Sequence, residues 1–366
     1  ELNEDLSFHE VGHDISCNLG SANITEMIQS SNFEESIETA VRALSSVSDM
    51  TSIKAVPTVE KGNKAYNSIG LGAMGLHTAL AVNHIHYGSD EALEFTDAYF
   101  RAVRFYALKA SNKLAEEKNE TFFEFEKSAY ADGSYLEEKY VNQDEFSFKS
   151  DKVADIFKNV SIPTKEDWQE LNERIKEHGL YNAYLLAVAP TGSISYINEA
   201  SSSLHPVIHL IENRQEGNIG SIYYPAPHLD NTTIQYYKSA FDTDMRDVIN
   251  TYATAQKHID QGMSLTLFMR SVIPEGLYEW KNGKSPNMTT RDLNKLRNYA
   301  WFKPMPQVSR TVFIAAPHRG TPFAENRFSR WAAGVVKLPV SMLGRISEIA
   351  QLLVDPSSAN AAPLTR

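Results

Sequence analysis

The sequence predicts an α/β fold. Apolar residues are spaced for one face of a helix in five stretches: residues 32–47, 93–108, 164–179, 243–258 and 289–299. Short apolar runs at residues 185–189 and 264–269 are typical of buried strands. Helices that alternate with such strands indicate an α/β architecture. With 366 residues, 42% of them hydrophobic, the chain can bury a substantial core in one large or two ordinary domains.

Two of the predicted helices carry recognisable start signals. Asn32 can accept hydrogen bonds from the first-turn amides, and Glu35 follows three residues later. Thr164 and Asp167 have the spacing of a capping box, in which each side chain bonds the backbone of the other residue. The second helix is expected to stop at Gly179, because glycine most easily adopts the left-handed backbone that ends many helices.

Residues 116–155 interrupt the alternation. They are rich in charged and aromatic side chains, and their apolar periodicity is weak. We therefore predict an excursion over the surface.

Composition excludes several function classes. The formal net charge is -11 and the isoelectric point about 5.5, which disfavours duplex nucleic acid or an anionic membrane as a partner. No run of eighteen apolar residues occurs and residues 1–10 lack the features of a signal peptide, so a cytoplasmic protein is predicted. Cys17 is the one cysteine, and a thiol partner for it must come from elsewhere.

The segment that follows the apolar run 185–189 has the chemistry of a phosphate-binding loop. Pro190 fixes one backbone angle, and Gly192 permits an unusual one. Thr191, Ser193 and Ser195 supply hydroxyl groups beside a predicted helix start, so several N–H groups can converge on one anion. An ordinary strand-to-helix turn with capping hydroxyls is the alternative interpretation.

Residues 70–75 form a Gly-x-Gly-x-x-Gly pattern, with Asp90 at a distance typical of dinucleotide-binding folds. Residues 61–68 are polar, however, and no strand is predicted ahead of the glycines. We predict a close helix contact there instead.

His205, His209 and Glu212 are spaced so that one helical face could present three metal ligands. No fourth ligand and no catalytic glutamate in a His-Glu-x-x-His frame accompany them. Structural histidines are therefore favoured, and no metal site is predicted.

The most specific motifs are Trp168-x-x-Leu171, Gly179-Leu-Tyr-Asn182, Ala187 and Pro190. At these spacings the chain resembles ribonucleotide reductase large subunits, and the hexapeptide Pro-Thr-Gly-Ser-Ile-Ser is most similar to the class Ib enzymes. Further segments agree and extend the resemblance over residues 1–300: residues 14–21, 69–76, 202–206, 222–227 and 258–268.

The resemblance implies a fold and a site. The chain would form the C-terminal half of a ten-stranded α/β barrel and would belong to a ribonucleoside-diphosphate reductase. Cys17 matches the family's redox cysteine, which faces the ribose and supplies reducing equivalents. In the family a thiyl radical abstracts the 3′ hydrogen, water leaves from C2′, and paired thiols donate electrons. The diphosphate of the substrate would be bound by one loop: Pro190, Thr191, Gly192, Ser193, Ile194 and Ser195.

The resemblance also implies partners and leaves alternatives open. No cofactor is expected to bind directly; a radical-generating metallo small subunit, a thioredoxin- or glutaredoxin-like reductant and the N-terminal part of the large subunit are expected. The family's radical cysteine matches a position upstream of Glu1, so the isolated chain is expected to show no turnover. A non-catalytic or split-subunit assembly module is the alternative.

Residues 301–366 differ from the rest, because basic side chains outnumber acidic ones there. Residues 311–323 resemble a fragment of a lipase-type α/β hydrolase, but no Gly-x-Ser-x-Gly nucleophile motif occurs in the tail. We predict a barrel segment over residues 1–300 and a divergent or foreign tail over residues 301–366. An inactive hydrolase-like fusion is the second alternative.

Overall fold

The computed structural model describes residues 11–16, 18–52, 55–216 and 220–268, all within one unit, Glu1–Glu275. Several predictions fall on other residues: Cys17, the helix at 289–299, the end of the run 264–269, the boundary near residue 300 and the tail. They lie outside the described residues and stay predictions.

Parallel strands lie at the centre of the described fold. β1 (Asn18–Asn23) pairs in parallel with β2 (Ile69–Met74), in a register that sets Asn18 opposite Ile69. β2 pairs in turn with residues 185–188 through a parallel bridge between Leu71 and Leu186. A second parallel bridge joins Val188 to Met263. Four extended segments therefore run side by side in one direction, which agrees with the predicted α/β class.

Helices connect these parallel segments. Those that follow β1 are α1 (Ile24–Gln29), α2 (Phe33–Met50) and α3 (Pro57–Tyr66). Those that follow β2 are α4 (Leu76–Val82), α5 (Asp90–Lys118), α6 (Ser134–Leu136), α7 (Asp151–Ile156) and α8 (Lys165–His178). After residues 185–188 come α9 (Ile194–Ile197), the antiparallel hairpin β3 (Ile211–Glu216) and β4 (Gly220–Pro225), and α10 (Met245–Gln256). Among the described helices, none is long and apolar enough to span a membrane.

The predicted start of α2 is right, but the predicted cap is wrong. Asn32 occupies the cap position with φ -120° and ψ 42°, and its side chain accepts no hydrogen bond from the first turn. The helix is stabilised by its apolar face instead: Phe33, Ile37 and Val41 are buried, and the ring of Phe33 lies edge-on to that of Tyr99 in α5. Tertiary packing of one face therefore stabilises this helix without the local cap.

The predicted capping box of α8 is confirmed. Thr164 Oγ1 accepts from the Asp167 amide at 3.2 Å, and Asp167 Oδ2 accepts from the Thr164 amide at 2.8 Å. The helix ends at Gly179, whose φ of +77° and ψ of -165° fall in a region that only glycine adopts without strain.

The predicted surface excursion at residues 116–155 is wrong in part. The segment contains α6, α7 and short 3-10 and π turns, and it contributes side chains to the main core. Tyr140 stacks on Trp168 of α8 with ring centroids 3.8 Å apart. Five of its side chains are buried: Phe122, Phe125, Leu136, Tyr140 and Val153. The aromatic residues that obscured the helical period are the ones that fill the space beside α5 and α8.

The two strand predictions had different outcomes. Residues 185–188 are buried and extended, and they pair with neighbours on both sides, as expected. Residues 264–268 are not a strand, because the pairing occurs at Met263. Leu265 and Leu267 are 45% and 43% exposed, and the Ser264 carbonyl accepts from the Tyr252 hydroxyl at 2.9 Å. The Ser264 amide donates to the Val188 carbonyl at 2.8 Å, which is the last backbone bond between these two segments in the described residues.

The glycines of residues 70–75 do not make the predicted close helix contact. Gly70 and Gly72 lie within β2, and a Cβ atom on Gly72 would lie 2.3 Å from the carbonyl oxygen of Ala187. Gly75 follows the strand with φ +85° and precedes α4. Glycine is required at position 72 because the backbone of residues 187–188 approaches β2 there.

Candidate functional site

The segment from Pro190 to Ser203 lies where the parallel strands end. It follows residues 185–188 directly, and the Nδ2 group of Asn23, the last residue of β1, donates to the Asn198 carbonyl at 3.0 Å. β2 ends at Met74, and the Leu76 amide donates to the Ser203 carbonyl at 3.5 Å. In parallel α/β sheets, ligands bind at the carboxyl ends of the strands, and this loop occupies that edge.

Three successive backbone amides of the loop are open. Within the described residues, the amides of Gly192, Ser193 and Ile194 donate no hydrogen bond to a protein acceptor. All three residues are exposed, and a Cβ atom on Gly192 would meet nothing within 4 Å. The next amide, that of Ser195, already donates to the Thr191 carbonyl at 3.2 Å. Successive unbonded amides in a turn form a concave site that favours an anion.

The three predicted hydroxyl groups are not equivalent. Thr191 Oγ1 is buried and accepts from the Ser203 amide at 2.8 Å. Ser195 Oγ is buried and lies 2.9 Å from Ser202 Oγ. Only Ser193 among the three is exposed. Two of the hydroxyls therefore stabilise the loop itself, and one is open to a ligand.

The unusual backbone angle belongs to Thr191 and not to Gly192, so that prediction is wrong. Thr191 has φ +51°, whereas Gly192 is absent from the glycines with positive φ in the described residues. A β-branched residue in the left-handed region is a genuine outlier, which costs about 1–3 kcal/mol. The bond from the Ser203 amide to Thr191 Oγ1 supports the strained turn, and Ser203 itself has φ +50°.

The chain on both sides of Cys17 contacts α3. Ser16 Oγ donates to Asn63 Oδ1 at 2.8 Å, and Asn18 Nδ2 lies 3.4 Å from the same oxygen. Asn63 is 2% exposed. A Cβ atom on Gly62 would lie 2.1 Å from the Asp14 carbonyl oxygen, so this approach requires glycine. The residues on both sides of the cysteine therefore pack against α3.

A cavity of about 470 Å³ adjoins the loop, and Ser195 and Ser202 form part of its wall. The three residues considered as metal ligands also line it, but they do not share a helix, because residues 205–210 are irregular and Glu212 belongs to β3. Burial lowers the pKa of His205, whose Nδ1 lies 3.0 Å from the Pro206 carbonyl oxygen. Glu212 accepts from the Tyr196 hydroxyl at 2.5 Å.

His77 in α4 anchors the chain just beyond the loop. Its Nδ1 accepts from the Val207 amide at 3.0 Å, and its Nε2 lies 3.3 Å from the Tyr236 carbonyl oxygen, to which it donates. The side chain is completely buried, and burial lowers its pKa to about 4. The contact with the Val207 amide requires the neutral imidazole, because a protonated Nδ1 could not accept.

A buried ion pair positions the segment that leads into the loop, and no sequence pattern predicts it. Arg104 lies in the middle of α5 with 0% exposure, and its Nη1 lies 2.6 Å from Asp260 Oδ2. Asp260 also accepts from the amides of Leu185 and Leu186 at 3.0 and 2.8 Å. The two charged residues are 156 positions apart, so no local pattern connects them.

Comparison with known proteins agrees with the resemblance in the motifs. A family model described as the ribonucleotide reductase barrel domain matches residues 3–305. The ribonucleoside-diphosphate reductase subunit alpha of Bacillus subtilis is 45% identical over 291 residues, which cover 80% of this chain and 39% of that protein. The Mycoplasma genitalium protein of the same name is 44% identical over 309 residues, 83% of this chain and 40% of that protein. The chain thus spans about 40% of the length of these relatives.

Proposed function

Because the chain belongs to the ribonucleotide reductase family, whose barrel-domain model matches residues 3–305, we propose that residues 190–195 bind the diphosphate of a ribonucleoside diphosphate. The observation that carries the proposal is the row of three unbonded amides at Gly192, Ser193 and Ile194. These amides donate to the phosphate oxygens, and the Ser193 hydroxyl adds a fourth donor. No side chain at Gly192 prevents a phosphate group from approaching the backbone.

The proposed reaction is reduction of a ribonucleotide to a deoxyribonucleotide by the whole protein of which this chain forms a part. The names of the relatives, ribonucleoside-diphosphate reductase subunit alpha, support this substrate class and a further subunit. Cys17 serves as a redox thiol. Because it is the one cysteine in the sequence, its disulfide partner comes from another polypeptide segment, such as an N-terminal part of the large subunit.

The remaining partners supply electrons and the radical. A thioredoxin- or glutaredoxin-like protein reduces the disulfide that forms at Cys17, by thiol–disulfide exchange. A metallo small subunit generates the radical, so this chain binds no cofactor directly. The residues of this chain bind and orient the substrate, and the partners provide the electrons and the radical.

Gly192→Val tests the phosphate site. The new side chain enters open space in the protein, so the stability should stay near that of wild type, while the isopropyl group covers the three amides. We expect CDP and ADP to bind at least about tenfold more weakly, a loss of about 1.4 kcal/mol. Isothermal titration calorimetry measures this change.

The matched control is Gly262→Val, because a Cβ atom there also meets nothing within 4 Å and residue 262 lies outside the loop. It should leave CDP binding unchanged. Cytidine, which lacks phosphate, should bind wild type and Gly192→Val alike. Equal CDP affinities for wild type and Gly192→Val would remove residues 190–195 from the proposed site.

A further inference from the structure

The first turn of α4 is capped by a residue from a distant part of the chain. Thr78 Oγ1 accepts from the Ser201 amide at 2.9 Å, and Ser201 Oγ accepts from the Thr78 amide at 3.2 Å. Both side chains are buried, with exposures of 0% and 4%. The amide of Thr78 is one of the donors that a helix start leaves unbonded, and the local cap residue, Gly75, has no side chain to satisfy it.

Ser201 begins a run of three serines, and the next two contact the phosphate loop. Ser202 Oγ lies 2.9 Å from Ser195 Oγ, and the Ser203 amide donates to Thr191 Oγ1 at 2.8 Å. Thr191 and Ser195 are the two buried residues on either side of the three open amides. The three consecutive serines thus connect α4 to both ends of the proposed phosphate loop, each through its own hydrogen bond.

The same region is closely packed and contains strained backbone angles. A Cβ atom on Gly75 would lie 3.0 Å from Ala200 Cβ, so the start of α4 contacts the residue just before the serine run. Thr191 and Ser203 both have positive φ, and such backbone angles persist only when the surrounding structure enforces them.

We infer that Thr78 and Ser201 are positioning residues, a reciprocal hydroxyl–amide clamp that maintains residues 191–195 in the conformation that binds a diphosphate. This inference rests on the proposed function. Thr78 is completely buried and the Ser201 hydroxyl is bonded to the Thr78 amide, so both residues act on the ligand through the loop. When the clamp is broken, the loop samples other conformations. The apparent association constant is then the intrinsic one multiplied by the fraction of molecules that remain competent to bind.

Thr78→Val is the informative substitution, because it keeps the shape of the side chain and removes the accepting hydroxyl. We expect it to bind inorganic pyrophosphate and CDP about tenfold more weakly than wild type, the factor that a competent fraction of about one tenth produces. Amide hydrogen exchange should become faster in residues 191–198. Thr78→Ser restores the hydroxyl and should recover most of the affinity, and Ser201→Ala removes the other half of the clamp.

The control is Thr164→Ala, which removes a helix-start bond of the same kind from α8, outside both the loop and the serine run. It should lower the stability without changing pyrophosphate affinity. If folded Thr78→Val and Ser201→Ala bind pyrophosphate as wild type does, the clamp has no positioning role. If wild type itself binds neither pyrophosphate nor CDP, the phosphate site fails and the inference fails with it.

Discussion

Replacing Asp260 by alanine is expected to lower the free energy of unfolding by about 3–5 kcal/mol, the cost of leaving one partner of a buried ion pair uncompensated. Arg104 has no exposed surface, so its charge cannot turn to water when the carboxylate is lost. The amides of Leu185 and Leu186 lose their acceptor at the same time. Denaturant unfolding followed by circular dichroism measures the loss.

An exposed ion pair provides the comparison. Lys158 Nζ lies 3.2 Å from Asp155 Oδ1, with both side chains more than half exposed. Asp155→Ala should change the stability by less than about 1 kcal/mol. Arg104→Met added to Asp260→Ala should recover part of the stability, because it removes the stranded charge. A single Asp260→Ala variant as stable as Asp155→Ala would show that Arg104 is not desolvated.

Acidification from pH 6.5 to pH 4 is expected to lower the free energy of unfolding by about 3 kcal/mol through His77 alone. Burial lowers the pKa of His77 to about 4 in the folded protein, against an ordinary value of 6.5. Between these two pH values the unfolded chain binds a proton at this residue and the folded protein does not. Stability is therefore lost as the pH falls through this window.

Two other histidines act in the same direction. Burial lowers the pKa of His258 to about 4, although the Asp97 carboxylate, 3.0 Å from Nε2, opposes the shift. Burial also lowers the pKa of His205. The total acid effect should therefore exceed that of His77.

Unfolding curves from pH 7.5 to pH 4 test the assignment to His77. His77→Asn keeps an acceptor near the Val207 amide and removes the titrating ring, so its stability should depend less steeply on pH. His86→Asn is the control, because His86 is an exposed histidine that contacts the same residue, Tyr236, at 4.8 Å between rings. Equal pH slopes in wild type and His77→Asn would contradict the prediction.

Local sequence patterns predicted the features that depend on local energetics. α2, α8 and α10 were predicted because each buries one apolar face at the helical period. α5 was predicted over residues 93–108, although its middle is buried on every side. The capping box of Thr164 and Asp167 needs only residues three positions apart. The register between the parallel strands and the close approach of one strand's backbone to another were not predicted. The glycine at position 72 is explained by the backbone of residues 187–188, which a sequence pattern cannot show.

In the candidate site, too, local features were predicted and those that depend on distant contacts were not. The hexapeptide that begins at Pro190 predicted a turn with hydroxyl groups and a helix start, and α9 does begin at Ile194. The left-handed backbone angle was predicted at Gly192, but Thr191 adopts it. Thr191 adopts it because its hydroxyl bonds the Ser203 amide, twelve residues away. The roles of Thr191, Gly192 and Ser195 depend on contacts outside the hexapeptide, and a motif does not contain them.

The proposed phosphate-binding function of residues 190–195 therefore depends on residues outside the hexapeptide. Grafting the six residues from Pro190 to Ser195 onto another strand–helix junction would transfer the hexapeptide alone. It would leave behind Ser202 and Ser203, which hydrogen-bond to the side chains of Ser195 and Thr191. Unsupported, Thr191 would relax to a negative φ and the row of amides would be lost. A functional transplant needs α4 and residues 200–203 as well, and the same hexapeptide found in an unrelated fold is no sign of phosphate binding.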